Sequence, residues 1–253
     1  MSEIDVPESH PRYQSLLTRH RIEEGVDKGI TSRQGLIAEG RGEAFDYLLG
    51  EETLPSADEA ARAAAALLHL AERPVLSVNG NVAALVPGEM IDLAAAVDAA
   101  IEVNLFNRTD ERMRAIAAHL RDHGAEEAGV PIKGLTADAR LPGLDHERSK
   151  VDAGGIGSAD VVLVPLEDGD RAEVLSVMGK SEIVIDLNPL SRSAKTAAVP
   201  IVDNILRAVP NITEHAQELE SAATDDLEAI VRSFDPEAAL DAAEGTIRSG
   251  DLE

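Results

Sequence analysis

Short β-branched runs that stop abruptly in Asp, Asn or Pro recur along the middle of this chain, and they constrain its fold more than any other feature. The clearest case is Glu182 to Ile205, EIVIDLNPLSRSAKTAAVPIVDNI. Ile183-Val184-Ile185 breaks into Asp186-Leu187-Asn188-Pro189, and Val199 to Val202 ends in Asp203-Asn204. Such runs read as buried strands entering loops. Pro74 to Val78 followed by Asn79-Gly80-Asn81, Ile101 to Phe106 followed by Asn107-Arg108-Thr109-Asp110, and Asp160 to Leu166 followed by Glu167-Asp168-Gly169-Asp170 repeat the pattern. A further weak strand fits Val130 to Ile132. Helical stretches separate these runs, including residues 89–100 and a helix ending at Gly124. Alternation of this kind from residue 73 to 205 predicts an α/β fold: a parallel sheet with helices on both faces, preceded by an N-terminal helical segment. In open α/β sheets ligands bind at the carboxyl ends of the strands, where these polar loops emerge. Asp and Asn after a strand also serve as turn formers and helix caps, so the pattern alone leaves both roles open.

The predicted division is an N-terminal helical segment over residues 1–72, an α/β core over 73–212, and an acidic C-terminal helical tail over 213–253. In the first part, Ser9-His10-Pro11 starts a helix that runs to Lys28 and stops at Gly29. Arg12, Arg19 and Arg21 form a basic cluster on it, which the residues by themselves favour as a solvated face with ion pairs. Thr31-Ser32 caps a second helix with Arg33-Gln34-Gly35 as its first turn. Gly40-Arg41-Gly42 is expected to interrupt that helix, as a helix–helix turn or as a close backbone approach to a phosphate. Ser56-Ala57-Asp58-Glu59 reads as a capping box for a helix through Ala71. Residues 134–158 form a long polar connection, and its Asp145-His146-Glu147 has poor spacing for a metal, so no metal ligand is assigned. Beyond Pro210, Thr213 is expected to cap a helix, and residues 214–253, with 12 acidic and 2 basic residues, read as short surface helices or partly disordered chain.

Charge excludes several partners. Asp and Glu number 47 against 23 Lys and Arg, for a net charge of −24. Such a surface repels nucleic acid and anionic lipid, so neither is an expected partner. Only five of the 23 cations are Lys, a balance like that of proteins from salt-loaded cytoplasm. With 2% aromatic residues and no Trp, the core must be built from Ala, Val, Leu and Ile. No Cys is present, so disulfides and thiolate zinc sites are out. The acidic start lacks the apolar core of a signal peptide, and no apolar stretch approaches the roughly 20 residues of a membrane span, so a cytoplasmic protein is expected.

Common enzyme motifs fail in instructive ways. Met178-Gly179-Lys180-Ser181 mimics the end of a Walker A loop, but position 174, where its first glycine belongs, is Val. The glycine fingerprint of dinucleotide sites is absent after every strand, which disfavours an NAD-dependent oxidoreductase, and no serine elbow occurs. The residues by themselves reach an α/β protein that binds a small anion.

Longer blocks go further. Asp186 to Ala194 (DLNPLSRSA) with IVDNI at 201–205, SHPRY at 9–13, GLIAEGRGEAFDYL at 35–48, SVNGNVAALVP at 77–87, EVNLF at 102–106, PGLDHER at 142–148 and PLEDGDR at 165–171 resemble the archaeal 4-phosphopantoate–β-alanine ligase family, also called phosphopantothenate synthetases. The blocks arrive in the family's order from residue 9 to about residue 215; the last forty residues carry none. The resemblance implies a Rossmann-like core, a homodimer, and a ligase that joins 4-phosphopantoate to β-alanine in coenzyme A synthesis, with ATP and Mg²⁺, releasing AMP and diphosphate through an acyl adenylate. It implies ATP contacts at Arg19, Arg41, Asp186, Leu187, Asn188, Arg192, Ser193, Asn204 and Ile205, with Arg192 and Arg41 as the catalytic cations. Arg12, Lys28, Arg33 and Arg148, on charge type, and Asn79 and Asn81, at a strand end, are candidates for the acid substrate. The competing class is a non-catalytic nucleotide-binding or regulatory α/β protein.

Overall fold

The computed structural model describes Pro7, Ser9, His10 and residues 12–166 and 169–250. Pro11, in the predicted helix start, and Glu167 and Asp168, in a predicted helix opening, lie outside the described residues. Three helices come first: α1 (Tyr13–Asp27), α2 (Arg33–Leu48) and α3 (Pro55–Leu70). The core follows as β1 (Pro74–Val78), α4 (Gly80–Leu85), α5 (Pro87–Ala96), β2 (Ala100–Val103), α6 (Asp110–Asp122) and β3 (Ile132–Lys133). A small antiparallel pair, β4 (Ala139–Arg140) and β5 (Lys150–Val151), separates this half from β6 (Val161–Pro165), α7 (Gly169–Val177), β7 (Ser181–Ile185), α8 (Arg192–Thr196) and β8 (Val199–Ile201). Helices α9 (Ile205–Leu219), α10 (Thr224–Ser233) and α11 (Pro236–Ser249) close the chain.

The main sheet is parallel throughout, in the order β3-β2-β1-β6-β7-β8. The chain winds outward from β1 to β3, returns to β6 beside β1, and winds outward the other way to β8. This is the doubly wound order of Rossmann-like folds, and it places the switch point between β1 and β6. Side chains alternate across the strands and split the core in two. Leu76, Val78, Ile101, Val103, Leu163, Ile183 and Ile185 join the larger cluster with α3, α5, α6 and α9. Val75, Val162 and Val164 face the other way, onto Leu141, Leu144, Val151, Ile156 and Leu175. The second face is therefore covered by α7 and the 139–159 connection rather than by helices alone, and that connection carries β4, a 3₁₀ turn at Glu147–Ser149 and β5 rather than being structureless. Glu102 organises it: wholly buried in β2, its carboxylate accepts hydrogen bonds from the backbone N–H of Ile156 at 2.7 Å and Asp152 at 3.2 Å.

Several local expectations need correction. The first helix begins at Tyr13, with Arg12 as its cap position, rather than at Ser9. Helix α2 runs through Gly40-Arg41-Gly42 without a break. Two interior glycines cost about 1 kcal/mol each against alanine, but the helix is held by its inner face, where Asp46 is buried and Gly42 faces Leu187. Helix α3 starts at Pro55, with Pro in the first turn and no side-chain cap, so Ser56 is inside the helix. Helix α5 ends at Ala96, and Asp98 at φ 52° turns the chain into β2, whose Ala100 pairs with Val75. Helix α9 starts at Ile205, is capped by Asn204, whose side chain accepts from the Leu206 N–H, and continues through Pro210. Pro210 is exposed, while Ala208, Val209, Ile212 and Ala216 form a buried stripe. Packing of that stripe outweighs the lost backbone bond. Thr213 is no cap; its hydroxyl donates to the Val209 carbonyl within the helix. The tail is packed rather than loose, with α10 against α3 and α11 against α3, β8 and α8, burying Leu227, Ala239 and Ala243.

Candidate functional site

Loops at the carboxyl ends of β1, β2, β6 and β7 enclose a cavity of about 480 Å³ that straddles the switch point. Each wall forms for a local reason. After β1, the Asn79 side chain accepts from the N–H groups of Asn81 and Val82 and so caps α4, while its amide donates to the Pro165 carbonyl at the end of β6. After β7, Asp186 accepts from the Asn188 N–H at 3.0 Å, Asn188 accepts from the Leu190 N–H at 3.0 Å, and Ser191 caps α8. These side-chain turns fix the loop that carries Asp186 to Ser193. Helix α2 lies close against α4: Asn81 donates to the Gly35 carbonyl at 3.0 Å and to the Glu39 carboxylate at 3.1 Å, and a Cβ on Gly35 would collide with Asn81.

The cavity inverts the charge of the molecule. In a chain of net charge −24, its described lining holds four arginines, Arg41, Arg112, Arg148 and Arg192, and one carboxylate, Asp186. Arg192 sits at the exposed rim, 3.5 Å from Glu173, across the start of α7 where Gly169 leaves room for it. Arg41 projects from the middle of α2. Arg148 is only 4% exposed; its Nε donates to Asn104 Oδ1 at 3.1 Å and its Nη1 to the Leu166 carbonyl at 3.4 Å. Arg112 Nη2 donates to the Ile30 carbonyl at 2.8 Å and Nη1 to the Asn107 carbonyl, while its buried Nε has no partner among the described residues. Burial lowers the Arg112 pKa below the usual guanidinium range.

The predicted site residues fall into three groups. Arg41, Asp186, Leu187, Asn188, Arg192, Ser193, Asn79, Asn81 and Arg148 all line the cavity. Asn204 and Ile205 line a smaller adjoining hollow that shares Leu187, Asn81 and Gly42 with it. Asn204 donates to Asp46 at 2.8 Å there, and Arg207 bridges Asp46 and Asp203. Burial pushes the Glu39 carboxyl in this hollow up, partly offset by the Asn81 hydrogen bond. The third group lies outside both linings. Arg19 is held by Glu43, with Nη2 at 2.7 Å, and its pKa is raised by that hydrogen bond. Lys28 pairs with Glu24 at 3.1 Å, and Arg12 and Arg33 are exposed near the starts of α1 and α2. Sequence reasoning did not single out Gln34, Phe106, Asn107 or Arg112, which also line the cavity. For Phe106 and Asn107 the signal was available, since residues 104–109 are a strand-end loop like the others. Lys180 lies away from the cavity and donates to the Gly157 and Ala159 carbonyls at 3.1 and 2.6 Å.

Residues 56–250 match the family model for phosphopantothenate/pantothenate synthetases. A 4-phosphopantoate–β-alanine ligase of Thermococcus kodakarensis is 56% identical over 232 residues, covering 92% of this chain and 88% of the relative. One from Methanosarcina mazei is 53% identical over 239 residues, covering 94% and 92%. The chain belongs to the phosphopantothenate synthetase family. As in the sequence blocks, the similarity spans the cavity-forming loops, but the phosphopantothenate synthetase match also runs on to residue 250, through α10 and α11, where no block was recognised. Among the described residues no helix is long and apolar enough to cross a membrane.

Proposed function

We propose that this phosphopantothenate synthetase joins the carboxyl group of 4-phosphopantoate to the amine of β-alanine, splitting ATP to AMP and diphosphate. The observation that carries the reading is the charge of the cavity's described lining, four arginines and one aspartate in a chain of net charge −24. Both larger reactants are phosphorylated anions, and guanidinium forks suit them. The relatives named 4-phosphopantoate–β-alanine ligase support the choice of reaction.

The nucleotide lies along the β7 and β8 ends in this reading. Asp186, Leu187, Asn188, Asn204 and Ile205 hold its nucleoside, and Arg41, Arg192 and Ser193 its phosphates. The acid's carboxylate oxygen attacks the α-phosphorus and diphosphate leaves; the neutral amine of β-alanine then attacks the acyl carbon, AMP departs, and the nitrogen releases one proton. Arg192 and Arg41 stabilise the charge that moves onto the departing diphosphate. A Mg²⁺ bound with ATP would neutralise phosphate charge. It would draw its ligands from phosphates and water, since Asp186 is the one carboxylate in the described lining and no cluster of three or more acidic or His groups occurs among the described residues. A homodimer completes the proposal: Leu36, Ile37, Tyr47 and Leu48 lie exposed on one side of α2, and a second copy would cover them. Sedimentation of Ile37→Glu as a monomer tests that face; an unchanged dimer would move the interface elsewhere.

The deciding assay is AMP release from ATP. It is expected only when 4-phosphopantoate and β-alanine are both present, with one phosphopantothenate formed per AMP. ATP binding without any AMP release would favour the non-catalytic, regulatory reading.

A further inference from the structure

Resting on that reaction, the second half of the chemistry still needs a proton acceptor. β-Alanine arrives as an ammonium, and at pH 7 only about one molecule in a thousand carries the free amine. The attacking nitrogen therefore calls for a base within hydrogen-bond reach. Among the described lining residues, three carboxylates border the cavity and its adjoining hollow: Asp186, Asp203 and Glu39. Asp186 accepts from the Asn188 N–H at 3.0 Å on one oxygen and from the Ser193 hydroxyl at 3.4 Å on the other. Asp203 accepts from Thr53 at 2.6 Å and from the Asn204 N–H at 2.7 Å, and it pairs with Arg207. Glu39 differs from both. One of its oxygens accepts from the Asn81 amide at 3.1 Å; among the described residues the other has no hydrogen bond and no cation pairs with the carboxylate. Glu39 stands on α2, two residues before Arg41, where the hollow runs into the cavity past Gly42, Asn81 and Leu187. In the proposed reading the nucleoside lies on one side of this junction and the phosphates on the other, which brings the α-phosphorus and its acyl group to it. Burial raises the proton affinity of Glu39, and Glu43 and Asp46 on the same helix add to this, against the Asn81 hydrogen bond. Asp203 shares the hollow, Arg41 lines the cavity beside it, and Arg207 is taken up by Asp46 and Asp203. A carboxylate shifted this way accepts a proton from an ammonium more readily than a solvated one.

We infer that Glu39 is the base that takes the proton from the β-alanine ammonium before the amine attacks the acyl adenylate. An N–H bond breaks toward the open carboxylate oxygen, and the freed lone pair forms the bond to the acyl carbon. The acyl–oxygen bond then breaks and AMP leaves with its electrons. The second proton passes from the nitrogen to solvent, and Glu39 gives up its own there once the product departs. Asn81, anchored on the Gly35 carbonyl as well, keeps the carboxylate turned. The plainer alternative is that Glu39 only holds Asn81 and so fixes α2 to α4, and the test separates the two roles.

Glu39→Gln provides it, since the amide keeps an acceptor for Asn81 but takes up no proton. Three rates are compared in the wild type, Glu39→Gln and Glu39→Asp, with circular dichroism as the folding control. They are the 4-phosphopantoate-dependent exchange of pyrophosphate into ATP, capture of the adenylate by hydroxylamine, and amide formation with β-alanine. Hydroxylamine is largely neutral at pH 7 and needs no base. In Glu39→Gln, exchange and hydroxamate formation should be unchanged while amide formation falls about 10²- to 10⁴-fold. Glu39→Asp, which keeps a proton acceptor, should recover part of the loss. The wild-type amide rate should also drop on acidification as the Glu39 carboxylate is protonated, a limb of the pH profile that Glu39→Gln lacks. Parallel losses of all three rates would overturn the inference in favour of the structural role, and amide formation at the wild-type rate would overturn it outright. Should Glu39→Gln fail its folding control, the ratio of amide to hydroxamate formation in Glu39→Asp decides, and a ratio equal to that of the wild type is the contrary result. A wild type that shows no such exchange would overturn the acyl-adenylate reading and this inference with it.

Discussion

Arg192 and Lys180 contrast two cations that the sequence makes equally conspicuous. Arg192 lines the cavity at its rim, and its ion pair with Glu173 is long and exposed, so a phosphate can displace it. A lysine cannot reproduce the paired fork, so Arg192→Lys should fold normally and lose about 10²-fold in turnover if the contact strengthens in the transition state. Steady-state kinetics check this, and full activity would remove the bidentate role. Lys180 instead ties two carbonyls of the β5–β6 connection. Lys180→Ala should leave ATP affinity unchanged while lowering stability by about 1–2 kcal/mol; a large loss of ATP affinity would place Lys180 at the nucleotide after all. Glu102 adds a pH effect. Burial raises its pKa from 4.5 to about 7 against two backbone hydrogen bonds that pull the other way. Its contribution to stability is then fullest below the unfolded value and fades as pH rises from about 4.5 through 7. An NMR titration should find a Glu102 midpoint near 7; one near 4.5 would contradict the burial argument. At this scale, Asp186, Asn188 and Arg192 were legible in the sequence because they follow a strand. Arg112 was not, because its significance lies in a contact with Ile30, more than eighty positions away in the chain.

Elements show why local signals misled in two places. Gly40 and Gly42 read as a break, yet α2 continues because its inner face is pinned to α4 and to Arg207 through Asn81 and Asp46. Thr213 read as the start of a helix beyond Pro210, yet α9 begins at Ile205 and runs through Pro210, because its apolar stripe is buried and Asn204 caps it. In both, tertiary burial overrides propensity. The Asp46–Arg207–Asp203 cluster joins α2 to the end of β8, with Thr53 donating to Asp203 at 2.6 Å. Removing its cation leaves two buried carboxylates together, so Arg207→Ala should cost about 3–5 kcal/mol in urea unfolding. A cost below about 1 kcal/mol would mean the cluster is replaceable. The tail is equally tied in. A chain cut after Ser221 loses the cover that α10 and α11 give α3, and should melt about 10–20 °C lower. An unchanged melting temperature would show the tail to be separable, as its acidic sequence suggests on its own.

At the scale of the whole molecule, the strand–helix alternation was enough to forecast the parallel sheet, because short unbroken apolar runs such as Val161–Pro165 are a local signal of strands buried on both faces. The strand order was not legible, since it depends on which side of β1 the returning β6 joins. That order matters: it opens the cavity at the switch point and gathers four arginines from four separate elements. The surrounding charge of −24 has a further consequence. At about 0.01 M salt the Debye length is near 30 Å, so the acidic surface repels itself across the molecule, and at about 0.15 M it is near 8 Å. The melting temperature should rise steeply with potassium chloride, and a flat response would show that the acidic surface does not strain the fold.

In the proposed reaction the acid's carboxylate is activated on the α-phosphorus of ATP. Carboxylate-¹⁸O-labelled 4-phosphopantoate, ATP and β-alanine, followed by mass spectrometry of the products, tests it most directly. One labelled oxygen should appear in AMP for each phosphopantothenate formed. Label in inorganic phosphate, with ADP as the other product, would contradict the claim.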